Sequence, residues 1–362
     1  MICKFPYFRL DPDLLSGREL ARFNRIYGNK AIVVKSSDLP SFFPRDQIQQ
    51  VRCGKCISCR LARQKDWSIR CTHEASLHDH NYFVTLTYDD AFLPRGNYWD
   101  SQLKKPLSSS LRPRDIQLFL KRLRSKLKRD YDFSGVRFFA CGEYGSLGSR
   151  PHYHLCLFNM PDLSALNDLE FLKKNGSFIY YNSKLVSSCW SVPGHDVQLG
   201  FNYVSEFSFD TAAYIAKYTL KQYKGQHDIP DGYLPRVEPF MRCSTRPGIG
   251  KDYIETDTVF DVFKRDTVYY SKNFKAFKAR PPRYYDKRFD YLNGGFVHRW
   301  KDDQGKERSA IVHSPAFITL SRQRFRVRGI TLDTLLNTQN VDQYAYDQST
   351  LIEEKNKLHR SL

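Results

Sequence analysis

At 362 residues the chain is long enough to bury a sizeable core, in one large domain or two. Its formal net charge of +18 asks for a polyanionic partner, and with no apolar run long enough to span a bilayer and no lipidation motif, nucleic acid fits better than a membrane surface. The segment Met1-Ile2-Cys3-Lys4-Phe5-Pro6 lacks the apolar centre of a signal peptide, so the chain is expected to stay in a reducing compartment, its nine cysteines thiols or metal ligands rather than disulfides.

Residues 1 to about 80 read as a basic region centred on Cys53-Gly54-Lys55-Cys56-Ile57-Ser58-Cys59, with Cys71 closing the group. That spacing is dense enough for a thiolate metal site, with structural Zn²⁺ as the first expectation and His73 as an alternative to Cys71. An iron–sulfur cluster and plain buried thiols are the other readings. A helix rich in Arg and Lys is expected from Arg60 to about Leu77.

Tyr82-Phe83-Val84-Thr85-Leu86-Thr87-Tyr88 reads as a core strand stopped by Asp89-Asp90, followed by a loop marked by Pro94 and Gly96. Ser110 as a cap and Pro113 introduce a helix to about Arg129, apolar at Ile116, Phe119, Leu120, Leu123 and Leu127 and basic on its other face. That basic face and the C-terminal Arg/Tyr segments are expected to track a nucleic-acid backbone. Val136 to Cys141 is a second strand, Gly142 to Pro151 a glycine-rich loop, Tyr153 to Phe158 a third strand and Val197 to Val204 a fourth. After Gly225 the composition shifts toward Pro, Arg and Tyr, as in Arg280-Pro281-Pro282-Arg283-Tyr284-Tyr285. The expected division is therefore residues 1–80, 81–225 and 226–362, and the expected class is α+β, a sheet with helices on one face.

Two motifs carry chemistry. In an extended strand alternate side chains share a face, so His152 and His154 point one way, able to grip one metal ion, while Tyr153 and Leu155 point the other. On a helix Tyr214, Lys217, Tyr218 and Lys221 share one stripe, opposite Ala212, Ile215, Ala216 and Thr219. Tyrosines used only for packing belong on the Ala/Ile side; these sit with the lysines, as suits a nucleophile that attacks a phosphate. The plainer alternative is a pair of solvent-facing histidines and a tyrosine-rich helix.

In this order the first strand, Arg150-Pro151-His152-Tyr153-His154 and Tyr214-Ile215-Ala216-Lys217-Tyr218 resemble the HUH endonucleases, and among them the rolling-circle replication initiators of microviruses, the gokushovirus branch most closely. The resemblance spans roughly residues 82 to 222. It implies a central antiparallel sheet with flanking helices, related to the RRM and ferredoxin-like folds, with basic N- and C-terminal extensions.

It also implies Glu143 as a third ligand to Mg²⁺ or Mn²⁺ beside His152 and His154, with a loop ion pair to Arg150 as the alternative. Tyr214 and Tyr218 would be the nucleophiles, forming a 5'-phosphotyrosine link with origin DNA and leaving a free 3'-hydroxyl. Lys217 would lower a tyrosine pKa, or else sit as a solvated helix lysine. The cysteine cluster and Arg246-Pro247-Gly248-Ile249-Gly250 share the resemblance without an implied role. Gly248-Ile249-Gly250-Lys251-Asp252 does not match a phosphate-binding loop, so a host helicase and polymerase are expected partners in the cytoplasm of a bacterial host. A plasmid or transposon nickase, or a non-enzymatic DNA-binding or packaging protein, are the competing readings.

Overall fold

The computed structural model describes residues 7–10, 15, 17–28, 32–43, 49–51, 53, 56–100, 103–145, 149–176, 178–192, 194–218, 229–255, 262–263, 265–272, 275–301, 305 and 307–320. Up to the first motif the elements are β1 (Tyr7–Leu10), α1 (Gly17–Tyr27), β2 (Ile32–Val34), β3 (Gln49–Val51), α2 (Ile57–Ala75), β4 (Tyr82–Thr87), β5 (Arg95–Asp100), β6 (Lys105–Ser109), α3 (Pro113–Tyr131), β7 (Arg137–Tyr144) and β8 (Pro151–Phe158). Then come β9 (Leu169–Asn175), β10 (Phe178–Ser183), α4 (Lys184–Cys189), β11 (Asn202–Glu206), α5 (Phe209–Tyr218), β12 (Leu234–Pro235), β13 (Phe240–Cys243) and α6 (Lys251–Ile254). The last are β14 (Val268–Lys272), β15 (Lys275–Ala279), α7 (Arg283–Leu292), β16 (Phe296–Lys301) and β17 (Glu307–Val312). No helix among the described residues is long and apolar enough to cross a membrane.

The chain divides into two compact units, one of residues 1–63, 260–266 and 286–362, the other of residues 64–259 and 267–285. In the first, the small antiparallel sheet β2-β1-β3 and α1 enclose Phe8, Leu10, Leu15, Phe23 and Phe43, and β16 pairs with β17.

The second unit is built on a seven-stranded antiparallel sheet in the order β13-β7-β8-β4-β11-β10-β9. The α+β class and the antiparallel sheet are as expected. Helices cover both faces rather than one. The physical reason lies in β4 and β8, which are apolar at successive positions and so present buried side chains on each side of the pleat. Val84, Leu86, Tyr153, Leu155 and Leu157 pack on one face against Ile116, Phe119, Leu123 and Leu127 of α3 and against Trp190. Phe83, Phe139, Cys141, Cys156 and Phe158 pack on the other with Ala212, Ile215 and Ala216 of α5 and with Cys71 and Trp67 of α2.

Every expected apolar position of α3 is buried. Its cap differs: Arg112 is the N-cap with Pro113 in the first turn, while the Ser110 hydroxyl accepts from the Val237 backbone N–H at 2.9 Å. The basic face of α3 lies on the side of the sheet away from the histidines. Two of its arginines serve the fold there, Arg122 Nε donating to the Cys189 carbonyl at 2.7 Å and Arg124 NH2 to that of Val136 at 2.9 Å.

Four strands lie where none was expected. The loop placed at Pro94 and Gly96 opens into β5 and β6, paired across a bulge. β9 and β10 escaped notice because Phe171-Leu172-Lys173-Lys174 breaks strict alternation on an exposed sheet edge. The expected fourth strand is shifted, β11 starting at Asn202 and reaching Glu206. The glycine-rich loop is shorter than expected, because β7 continues through Gly142 and Glu143 to Tyr144. Gly142 pairs with Phe240 of β13, whose ring would lie only 2.7 Å from any Cβ at that position.

The Arg246 to Gly250 segment has an architectural role. Buried Glu74 of α2 forms an ion pair with Arg137 of β7 and accepts the Gly250 backbone N–H at 2.7 Å, while Arg137 NH2 donates to the Pro247 carbonyl at 3.0 Å. Arg70 Nε donates to the Ile249 carbonyl at 3.0 Å. Gly250, at φ +75°, is required because a Cβ would meet the Tyr285 hydroxyl at 2.7 Å. The segment thus latches α2 to the sheet.

His73 sits in this latch, its Nδ1 2.7 Å from the Tyr285 hydroxyl and its Nε2 2.7 Å from the Tyr269 carbonyl. Burial lowers its pKa from 6.5 to about 4, against the opposing pull of the Tyr269 carbonyl. Between these values the unfolded chain takes up a proton that the folded one refuses, so stability falls as pH drops from 6.5 to about 4 and is flat on either side. The loss from this group is expected to be about 3 kcal/mol at about 1.36 kcal/mol per pH unit. Urea unfolding of the wild type and His73→Gln across this range tests it: the variant should have the shallower pH dependence, and equal slopes would refute the assignment.

Candidate active site

The register of three neighbouring strands builds the site. In β7 and β8 Glu143 stands opposite His152 and Cys141 opposite His154; in β8 and β4 His154 stands opposite Thr85 and His152 opposite Thr87. Directly opposed residues share a face, so Glu143, His152, His154 and Thr85 gather on the α5 side. Tyr153 and Leu155 turn to the α3 side as expected. There the Tyr153 hydroxyl lies 2.9 Å from that of Tyr88 and accepts the Arg112 backbone N–H at 2.9 Å.

Glu143 Oε1 lies 3.0 Å from His152 Nε2 and 2.9 Å from His154 Nε2, and accepts the Tyr214 hydroxyl at 3.1 Å. The carboxylate is only 2% exposed. Arg150, the alternative partner for Glu143, instead donates to Asp90 and, at 2.5 Å, to the Tyr88 carbonyl. Burial by itself would raise the Glu143 carboxyl; its hydrogen bonds with His152 and His154 outweigh that and hold it below the usual carboxylate range. Burial also pulls His154 below the usual imidazole range, with Glu143 pulling the other way.

The donor set fits a divalent cation. His152 Nδ1 lies 3.1 Å from the Arg150 carbonyl, which can only accept, so a neutral His152 carries its proton on Nδ1 and a lone pair on Nε2. His154 Nδ1 lies 2.9 Å from the Thr85 hydroxyl, which can accept in the same way. Two imidazole lone pairs and an ionised carboxylate, with ligand atoms all within 4.8 Å of one another, form an acceptor cluster that a cation satisfies.

Tyr214 is brought to this cluster by α5. Ala212, Ile215 and Ala216 are fully buried, while Tyr214 is 39% exposed and Lys217 is exposed, so the two faces of the helix are divided as its spacing implies. The Tyr214 ring meets His154 edge-on at 4.9 Å. The helix start is fastened by a reciprocal cap, Ser208 Oγ accepting the Thr211 N–H at 3.1 Å and Thr211 Oγ1 the Ser208 N–H at 2.9 Å. Gln64 Nε2 of α2 donates to the Ala213 carbonyl at 2.8 Å, and Lys272 pairs with Asp210 at 2.7 Å. Tyr218 closes α5, but its side chain, together with Thr219, Leu220 and Lys221, lies outside the described residues.

Thr85, Gln64 and the Ser208 cap were not singled out in the sequence. Ser208-x-x-Thr211 ahead of an apolar stripe was the available signal for the cap; nothing in sequence spacing links Gln64 to α5. Beyond Thr85 the same sheet face continues through Tyr203 of β11, opposite Thr85, to Tyr180 and Lys173 on the outer strands. Lys173 Nζ lies 5.0 Å from the Tyr203 ring centre and 5.7 Å from that of Tyr180. Phe201, before β11, is 61% exposed.

The cysteines separate. Cys53, Cys56 and Cys59 bring their sulfurs within 4.8 Å of one another in the first unit. Cys71 belongs to the buried core of the second, where burial raises its thiol pKa well above the usual range.

An antiparallel α+β sheet that gathers two histidines, a carboxylate and a helix-borne tyrosine has the HUH arrangement. Residues 81–223 match the family of replication-associated proteins typified by ORF2. The chain is 32% identical to replication-associated protein ORF2 of Spiroplasma virus 4 over 70% of its length and 69% of that protein's. It is 32% identical to replication-associated protein VP4 of Bdellovibrio phage phiMH2K over 64% of its length and 62% of that protein's. To replication-associated protein ORF4 of Chlamydia phage 1 it is 28% identical, over 51% of its length and 43% of that protein's. The chain belongs to this family of replication-associated proteins, and the likeness to microvirus replication initiators is borne out. No solved structure matches it significantly.

Removing a ligand should weaken cation binding more than removing its support. Isothermal titration with Mn²⁺ at pH 7 is expected to show binding to the wild type, roughly tenfold weaker binding in Thr85→Val, and a still larger loss in His154→Ala. Equal affinity in all three proteins would exclude the cluster as the binding site.

Proposed function

We propose that this chain starts rolling-circle replication of a small DNA phage genome by nicking origin DNA with a tyrosine. The observation that supports this reading is the 3.1 Å bond placing the Tyr214 hydroxyl at the carboxylate shared by both histidines. A phosphodiester is protected by its charge and its poor leaving group, so a nickase has to neutralise the one and align an attacker with the other.

His152 Nε2, His154 Nε2 and Glu143 would hold the cation, Mg²⁺ or Mn²⁺. When bound, it supplies positive charge against the phosphate oxygens. Tyr214 is oriented by Glu143 and by the capped, buried-face anchoring of α5. Its hydroxyl oxygen attacks phosphorus and loses its proton, the bond from phosphorus to the 3'-oxygen breaks, and that oxygen leaves as a hydroxyl. The product is a 5'-phosphotyrosine and a 3'-end for a host polymerase to extend, with unwinding left to a host helicase. Lys217, exposed on the Tyr214 stripe, offsets phosphate charge and favours the phenolate. Tyr218 is the second nucleophile: it cleaves the regenerated origin, and the new 3'-hydroxyl then attacks the first phosphotyrosine, closing the circle without ATP.

The exposed sheet face beside Thr85 is the DNA approach in this reading. Tyr203, Tyr180 and Phe201 offer rings for unpaired bases, and Lys173 a charge for the backbone.

A single-stranded origin oligonucleotide labelled at its 3' end, incubated with the wild type and Mn²⁺, is expected to yield a denaturant-resistant protein–DNA adduct. The Tyr214→Phe/Tyr218→Phe double variant should yield none. No adduct from the wild type, with DNA binding intact, would select a non-enzymatic binding protein; an undiminished adduct in the double variant would place the nucleophile elsewhere. For the approach surface, Tyr203→Ala is expected to weaken single-strand binding by about 1–3 kcal/mol. Lys173→Ala should reduce the slope of log K against log salt by about 0.7. Fluorescence anisotropy at several salt concentrations measures both.

A further inference from the structure

The nicking reaction has no use for the cysteine-rich turn before α2, yet the turn is folded into a cup of sulfurs. Cys53 Sγ and Cys59 Sγ are 3.8 Å apart, and Cys56 completes a group whose sulfurs all lie within 4.8 Å. Two cysteines joined in a disulfide would have sulfurs about 2.05 Å apart, so this spacing is not that of a bridge. It is the edge of a tetrahedron: with zinc–sulfur bonds of about 2.3 Å, two thiolates on one ion are separated by about 3.8 Å.

The local backbone supports the same geometry. The Cys56 N–H donates to Cys53 Sγ at 3.3 Å, a contact that a metal-bound sulfur accepts. The Cys56 carbonyl takes the first helical hydrogen bond, from the Arg60 N–H at 3.0 Å, so Cys59 rides on the first turn of α2 and points back toward the loop. Cys59 is buried, as is the adjacent Ser58.

We propose that Cys53, Cys56 and Cys59 bind one Zn²⁺ ion through their thiolates, as a structural site separate from the His/Glu cluster. The ligand chemistry separates the two: soft thiolates select zinc, whereas imidazole with carboxylate and open positions suits Mg²⁺ or Mn²⁺. His73 is excluded as the fourth ligand, because both its ring nitrogens are engaged, by the Tyr285 hydroxyl and the Tyr269 carbonyl. The fourth position falls to a further thiol, Cys3 or Cys71, or to water. Binding exchanges up to three thiol protons for the ion, so affinity rises with pH. The gain is a staple for a unit whose core is small: the cluster joins β3, paired to β1, to the start of α2.

Zinc content and sulfur coordination of the full-length chain, purified under reducing conditions without chelator, test this directly. Mass spectrometry of the metal is expected to find one zinc per chain in the wild type. The same amount should remain in the His152→Ala/His154→Ala double variant and fall at least tenfold in Cys56→Ser. X-ray absorption at the zinc edge should count three sulfurs at about 2.3 Å if water fills the fourth position, or four if a thiol does, and Cys3→Ser and Cys71→Ser then identify that thiol. A wild type that holds no zinc and takes none up from a chromophoric chelator overturns the proposal. Iron with acid-labile sulfide, or zinc undiminished in Cys56→Ser, overturns it equally. These measurements read metal rather than nicking, so the outcome is independent of the proposed strand cleavage.

Discussion

The constraint on which the rest of the structure depends is the register of β7, β8 and β4. Glu143 meets His152 across one strand pair and His154 meets Thr85 across the other. A slip of one residue would turn both imidazoles to the α3 face and expose Tyr153 and Leu155 to the α5 face. That slip is resisted because both faces are buried: Leu155 and Leu157 are committed to α3, and Cys156 and Phe158 to α5. The catalytic-looking residues are the polar end of a stripe whose other end is hydrophobic core, and the core holds the register.

The same stripe positions the helix. Ile215 and Ala216 pack on Phe83, Phe139 and Cys156, and this seat sets the rotation of α5 about its axis. With the buried stripe fixed, Tyr214 has one place to go, over the edge of His154 and onto Glu143. The Ser208–Thr211 cap and the Gln64 contact fix the helix along its length. Gln64 belongs to α2, which is held in turn by Glu74, Arg137 and the Arg246 to Gly250 segment. Thus a motif far along the chain supports the tyrosine through a ladder of buried polar contacts.

Charge is distributed with the same division of faces. The basic stripe of α3 is the most conspicuous in the sequence, yet it lies on the side of the sheet away from the histidines, and part of it is engaged by carbonyls of the fold. The aromatic and basic residues on the histidine side come from β9, β10 and β11, short strands whose sequence is unremarkable by itself. Proximity to the cluster, rather than density of lysine and arginine, marks the surface that serves it.

By themselves the residues determined the α+β class, the core of α3, the shared face of His152 and His154 and the exposure of Tyr214 opposite Ile215 and Ala216. Each follows from a period of two or of 3.6 acting within one element, and such periods are visible in a linear string. The tertiary structure alone decided that β7 runs through Gly142 to deliver Glu143, that helices cover both faces, and that Thr85 supports His154. It alone separated Cys71 from the three cysteines that share a cup. These depend on which strands become neighbours, on a Phe240 ring filling the space a glycine leaves, and on contacts between segments far apart in the chain. Local spacing carries no record of them, because their free energy exists only once the sheet has closed around its core.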